Sequence, residues 1–178
     1  MKKLFFIAMV LMATMMSANT SLAQKLQSGS LDFLSSTNTL AVAIDYSQAI
    51  ISKLTYSTRC EVDPDWKKGE EEIEKRFVIA LAEELSKHGI GISKNSSYTL
   101  NLIPIKIDND GETRAQLYVK DADGNSIAFI DNLHGEGGRF GSLTNLTGDG
   151  MERLAHSLGS FLGKQKRLVN KQKSKESK

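Results

Sequence analysis

Tyr98-Thr99-Leu100-Asn101-Leu102-Ile103-Pro104-Ile105-Lys106-Ile107-Asp108-Asn109-Asp110-Gly111 is the stretch that decides the fold. Tyr98, Leu100 and Leu102 recur with a period of two, the spacing that turns one face of a strand toward a core. From Ile103 the apolar residues take the opposite parity, at Ile103, Ile105 and Ile107. A phase switch beside Pro104 predicts a bulge or register change, and a residue without an N–H predicts an edge strand. Asp110-Gly111 reads as a tight turn. Ala115, Leu117 and Val119 then alternate with Arg114, Gln116, Tyr118 and Lys120. Asp123-Gly124 marks a second turn, and Ile127, Phe129 and Ile130 open a third strand. The segment reads as an antiparallel meander.

Helical periodicity flanks it on both sides. Trp66, Ile73, Phe77, Leu81 and Leu85 fall on one stripe, with Asp63 or Asp65 as cap, Pro64 at the start and Gly89 as stop. They predict a helix from about Trp66 to Lys87. Met151, Leu154, Ala155, Leu158, Phe161 and Leu162 predict a second helix, capped by Asp149 and ending near Gln165. Upstream, Leu40, Val42, Ile44 and Tyr46 alternate as in a strand, and Ile51, Thr55 and Tyr56 favour another within 50–58. Residues 24–38 read as a flexible start ending in a short strand or clip. The order predicts an α+β domain, with an antiparallel or mixed sheet of four to five strands and two helices packed on one face. A chain of 178 residues is long enough for one such core.

The two ends carry different messages. Lys2 and Lys3, the uncharged run Leu4 to Met16 and Ser21-Leu22-Ala23 have the pattern of a signal peptide over residues 1–23. The run spans about 20 Å, less than a bilayer core. Gln24 stands where a lipidated cysteine would be needed, so an exported, periplasmic or extracellular protein without a lipid anchor is expected. Residues 24–163 form the single expected domain. Residues 164–178 form a basic tail of seven Lys or Arg and one Glu, which reads as a solvated, frayed terminus. The body ahead of it holds 14 basic and 20 acidic residues. That acidic balance argues against a nucleic-acid-binding face and leaves the tail as the place for any membrane contact.

Ordinary composition excludes collagen-like, coiled-coil and wholly disordered chains. A single cysteine, Cys60, excludes an internal disulfide framework and a multi-cysteine metal site; it reads as a small, partly buried residue. Asp121, Asp123 and Asn125 have the spacing of a calcium loop, but Ser126 and Asn132 stand where Gly and Glu are required, so a hairpin turn fits better. His134-Gly135-Glu136 lacks the cysteine pair of a zinc deaminase. No metal and no cofactor is expected, and no serine stands in a nucleophile elbow.

The unusual segment is His134 to Gly150, with six glycines leading into the last helix. Glycines allow a backbone to approach a ligand, and Arg139 offers a fork for phosphate or carboxylate. On that reading Gly137, Gly138, Arg139, Gly141 and Asn145 are candidate binding residues. On the other, the block is a glycine-bent strand and turn passing under the helix, anchored by Phe140 and Leu143. Both remain open at this point.

Tyr98-Thr99-Leu100, Asp123-Gly124-Asn125 with Ile127-Ala128, Gly137-Gly138-Arg139-Phe140-Gly141 through Asn145-Leu146, Gly148-Asp149-Gly150-Met151-Glu152, and Leu158-Gly159 with Phe161-Leu162 resemble a family of small exported proteins of Bacteroidetes-type bacteria without assigned activity. The layout is more distantly similar to envelope lipoproteins of the curli-secretion and penicillin-binding-protein-activator type. The resemblance implies an envelope protein and transfers no site residue. The expected function is a non-enzymatic binding or interaction module for an envelope protein or polysaccharide. The alternatives are a small-ligand or anion binder on the glycine loop, and a hydrolase with dispersed catalytic residues.

Overall fold

A computed structural model describes residues 24–176; the signal-peptide reading falls on residues that lie outside the described ones. Among the described residues the α+β expectation holds, with a larger and mixed sheet: eight strands instead of four to five, and three α-helices instead of two. The strands are β1 (Lys25–Gly29), β2 (Thr39–Ile44), β3 (Ile50–Ile51), β4 (Leu54–Thr55), β5 (Gly91–Ile92), β6 (Thr99–Ile107), β7 (Thr113–Lys120) and β8 (Ser126–Gly135). The helices are α1 (Tyr56–Val62), α2 (Pro64–Ser86) and α3 (Leu143–Glu176). The main sheet runs β1-β8-β7-β6-β2-β5, with β3 beyond the end of β2 and β4 on β3.

The meander β6-β7-β8 is antiparallel, and β2 lies parallel to both β6 and β5. The expected bulge is present, between Pro104 and Lys106. Pro104, however, does not lie on a sheet edge. On the side away from β7, β6 pairs with β2 through Leu102 and with β3 from Lys106. Leu102 turns its carbonyl to β2, where it accepts from the Asp45 N–H at 2.9 Å. Two residues on, Pro104 turns its nitrogen to that same side, in the gap between β2 and β3, so no ladder donor is missed.

α2 forms as read. Pro64 opens it, Asp63 Oδ1 accepts from the Trp66 N–H at 3.3 Å, and Gly89 (φ +67°) ends it with Ile90 N–H bonding back to Leu85. Its stripe from Trp66 to Leu85 is buried against α3 and the sheet. Of the 50–58 segment favoured as a strand, Ile50–Ile51 and Leu54–Thr55 form β3 and β4, whereas Tyr56 to Thr58 begin α1, because Thr55 Oγ1 caps the Thr58 N–H. The expected flexible start is instead strand β1, paired with β8, followed by a 3-10 turn that buries Leu31, Phe33 and Leu34.

α3 departs most from expectation. It starts six residues before Asp149 and continues past Gln165 to Glu176. Ser142 Oγ accepts the Asn145 N–H at 3.3 Å and serves as the cap, while Asp149 lies in the second turn. Gly148 and Gly150 are therefore helical, and both are closely packed against neighbours. A Cβ on Gly150 would run into the Gly111 carbonyl, and one on Gly148 into the Arg76 guanidinium. Arg76 in turn holds the helix start, with Nη2 donating to Asp149 and to Glu152 Oε2 (2.5 and 2.8 Å) and Nη1 to the Asn145 carbonyl (3.3 Å). Burial opposes the Arg76 charge, but the two carboxylates outweigh it and hold the guanidinium more firmly protonated than usual.

Candidate functional site

α2 and α3 cover one face of the sheet, and the core lies between. The opposite face of β6, β7 and β8 keeps partial exposure along its length. It carries Ile103, Ile105, Gln116 and the stacked rings of Tyr118 and Phe129, whose centroids are 4.8 Å apart. This face holds an open depression. Ala115 pairs with Leu133 and Leu117 with Ile130, so Asp131 and Asn132 together oppose the single Gln116. Such a bulge breaks the ladder and re-aims side chains, and Asn132 accommodates it in the left-handed region at φ +58°.

An open cavity of about 170 Å³ results, lined by Ile105, Arg114, Gln116, Asp131, Asn132 and His134, among others. Glu112 fixes its charged end. One carboxylate oxygen accepts from Arg114 Nη2 at 3.0 Å and Nε at 3.2 Å and sits 3.1 Å from His134 Nε2. The cavity therefore presents a clamped guanidinium–carboxylate–imidazole group at one end, and an amide-rich, acidic bulge at the other, beside an isoleucine. The lining carries no Ser, Thr or Cys, so the His134–Glu112 pair has no side-chain nucleophile beside it. The volume falls below the roughly 300 Å³ at which small-molecule sites begin and suits one inserted side chain.

The glycine loop adjoins this end of the sheet. Gly137 lies so close to Asp110 and Glu112 in the β6–β7 turn that any Cβ would overlap their backbone, and Gly138 lies against Asp149 and Leu146. Arg153 of α3 holds the loop, donating to the carbonyls of Glu136 (2.9 Å) and Gly137. Gly141 has φ +127°, and Asn145 is in the first turn of α3. Close packing thus accounts for Gly137 and Gly138. Arg139 and Phe140 are exposed at the tip, Phe140 by 90%, so Phe140 is not the anchor that one reading required; Leu143 packs against the core. Arg139 has no hydrogen bond or ion pair among the described residues.

The Asp121–Asn125 loop is a hairpin turn in which the Asp121 carboxylate accepts the N–H groups of Asp123 (3.0 Å) and Asn125 (2.9 Å). Cys60 is half-buried on α1. A second polar cluster lies where α1 meets α2. Tyr56 donates to Glu70 (2.8 Å), and Lys67 donates to both. Nearby, burial and then Glu70 raise the Glu74 carboxyl above its usual value, and burial raises the Tyr46 hydroxyl, which has no hydrogen-bond partner among the described residues.

The bulge site was not predicted. The alternation on β7 assigned Arg114 and Gln116 to the outward parity, but nothing in the sequence marked Asp131 and Asn132 as sharing one partner. The one available signal is that Ile130 and Leu133, three apart, are both inward, which two-residue alternation forbids.

No protein-family model matches the chain, and no curated protein matches it. Among solved structures it is similar to the PelC dodecamer from Paraburkholderia phytofirmans, at 15% sequence identity and a TM-score of 0.38, over 78% of this chain and 97% of that one. A single-residue variant of the same dodecamer aligns at 15% identity and a TM-score of 0.37, over 78% and 98%.

Proposed function

We propose that this protein is a non-enzymatic binding module of the cell envelope that meets a protein partner across the uncovered face of its sheet. The observation that supports this is the bulge cavity. It has room for a single side chain, a clamped charge at one end, and Ile105, Tyr118 and Phe129 on the same sheet face. Interfaces combine such anchors with a polar surround, and no side-chain hydroxyl or thiol lines this cavity. Export to the envelope rests on the signal-peptide pattern of residues 1–23. The loop-centred alternative, an anion held by Arg139 and free N–H groups, has less behind it, because Ser142 occupies the first turn of α3 and packing explains Gly137 and Gly138.

Site-specific photo-crosslinking in the producing cells tests the reading. A crosslinking residue at Gln116 or Tyr118 should give one discrete protein adduct, and the same residue at exposed Glu71 on α2 should give none. The purified pair should then lose at least tenfold in affinity on Tyr118→Ala. Equal labelling from all positions, or an adduct indifferent to Tyr118→Ala, would remove the sheet face from the proposal.

A further inference from the structure

The C-terminal third of α3 carries a separable surface. Residues 164–176 continue the helix instead of leaving the body, because one side of this segment is docked. Val169 is 7% exposed. Lys166 donates to the carbonyls of Thr37 and Gly89 (both 3.3 Å), and Lys173 to Ser35 Oγ (2.6 Å). Glu176, the segment's one carboxylate, falls on this docked side seven residues after Val169 and lines a depression with Asp32, Gln172 and Lys173.

The other side is Lys164, Arg167, Lys171 and Lys175, at intervals of three, four and four residues, all exposed. That spacing sets them in one line about 16 Å long on a single helical face. No carboxylate lies in the line. Arg167 is steadied by donating to His88 Nδ1 at 3.2 Å, and Leu168, 46% exposed, sits amid the cations. Glu176 stays exposed but on the depression side, about a third of a turn away from the row, which leaves a cationic row on the outer face of a body whose own balance is acidic.

We propose that this row is a docking stripe for an anionic phospholipid surface. Its charges are strung out along a line and do not converge, so they fit a field of mobile headgroups better than one small anion. Leu168 suits the interface, where an apolar side chain among cations can enter the headgroup boundary. The acidic body would be repelled from the same surface, which orients the molecule with the stripe down. No described helix is long and apolar enough to cross a membrane.

Flotation of the protein as isolated from the cells that make it tests this, with vesicles of phosphatidylethanolamine containing about a quarter phosphatidylglycerol and with phosphatidylcholine vesicles. Binding to the anionic vesicles should exceed binding to the neutral ones at least tenfold and fall steeply with added salt. Each charge removed should cost about fivefold, so K164Q/K171Q/K175Q, which spares the Arg167–His88 contact, should lose about 100-fold. The variant K53Q/K68Q/K94Q, with the same net charge change elsewhere, should stay within about twofold of the parent. Equal binding to both vesicles, equal loss in both triple variants, or no loss in the first would overturn the proposal. So would tighter retention by a soluble polyuronate than by the anionic vesicles at equal salt, which would assign the stripe to an acidic polysaccharide.

Discussion

On the helix side of β7, Ala115, Leu117 and Val119 are sealed to 3% exposure or less; one residue along, on the other side of the same strand, Gln116 and Tyr118 remain half-exposed. The backbone is shared, so the difference lies in what the rest of the chain brings. α2 and α3 bring two apolar stripes to the first side and nothing to the second. The covered side tolerates little change and carries stability. The uncovered side keeps its bulge, its left-handed Asn132 and its clamped Arg114–Glu112–His134 group, features that contribute little to the core.

Substitutions can break this contrast at several strengths. Leu117→Ala should cost about 3 kcal/mol by leaving a cavity under the helices, while its neighbour Gln116→Ala should stay within about 0.5 kcal/mol, both read by denaturant unfolding. If the two cost the same, the faces are not distinct. Gly150→Ala should cost about 2 kcal/mol, since the new methyl meets the Gly111 carbonyl and backbone there cannot swing aside. Arg76→Ala should cost about 1 kcal/mol in thermal unfolding; Asp149 and Glu152 are each more than a third exposed, and solvent screens what the geometry offers.

The smallest effect has a pH signature. Burial, and then Glu70, raise the Glu74 carboxyl, so the folded protein binds that proton more tightly than the unfolded chain does. Its stabilising share is whole below the ordinary value of 4.5 and is lost as pH rises through the raised value. Glu74→Gln should therefore add up to about 0.5 kcal/mol at neutral pH, and the gain should vanish in melts below pH 4.5. A gain that persists in acid would point to packing, not ionisation.

What the sequence allowed to be read follows from which interactions are local. The α2 stripe, its Asp63 cap and its Gly89 stop all lie within one segment, and so do the alternations and Asp-Gly turns of the meander; each was recovered. The start of α3 was not, because Gly148 and Gly150 weaken a helix by propensity and are helical here through contacts with Arg76 and Gly111, 72 and 39 residues away. The end of α3 escaped for a similar reason. Lysines 166 and 173 look solvated until the carbonyls and hydroxyl of distant segments are beside them. The strands β1 and β5 are polar or too short to show a period, and the one strand expected within 50–58 is two short ones, β3 and β4, so the sheet is larger than the sequence suggests. The glycine loop was recognised as unusual, but its sequence could not distinguish a cradle for a ligand from a close fit to the β6–β7 turn.

The pairing of β1 with β8, and of α2 with α3, also sets an order of events. The meander can zip locally as soon as it is made, but the greasy stripe of α2 waits, with its partner some 70 residues downstream, until Met151 to Leu162 have been synthesised. Until then the nascent chain has a half-built interior and no way to close it. The core can therefore close only once α3 has been made, which makes the α2–α3 contact a long-range step that follows the local pairing of the meander.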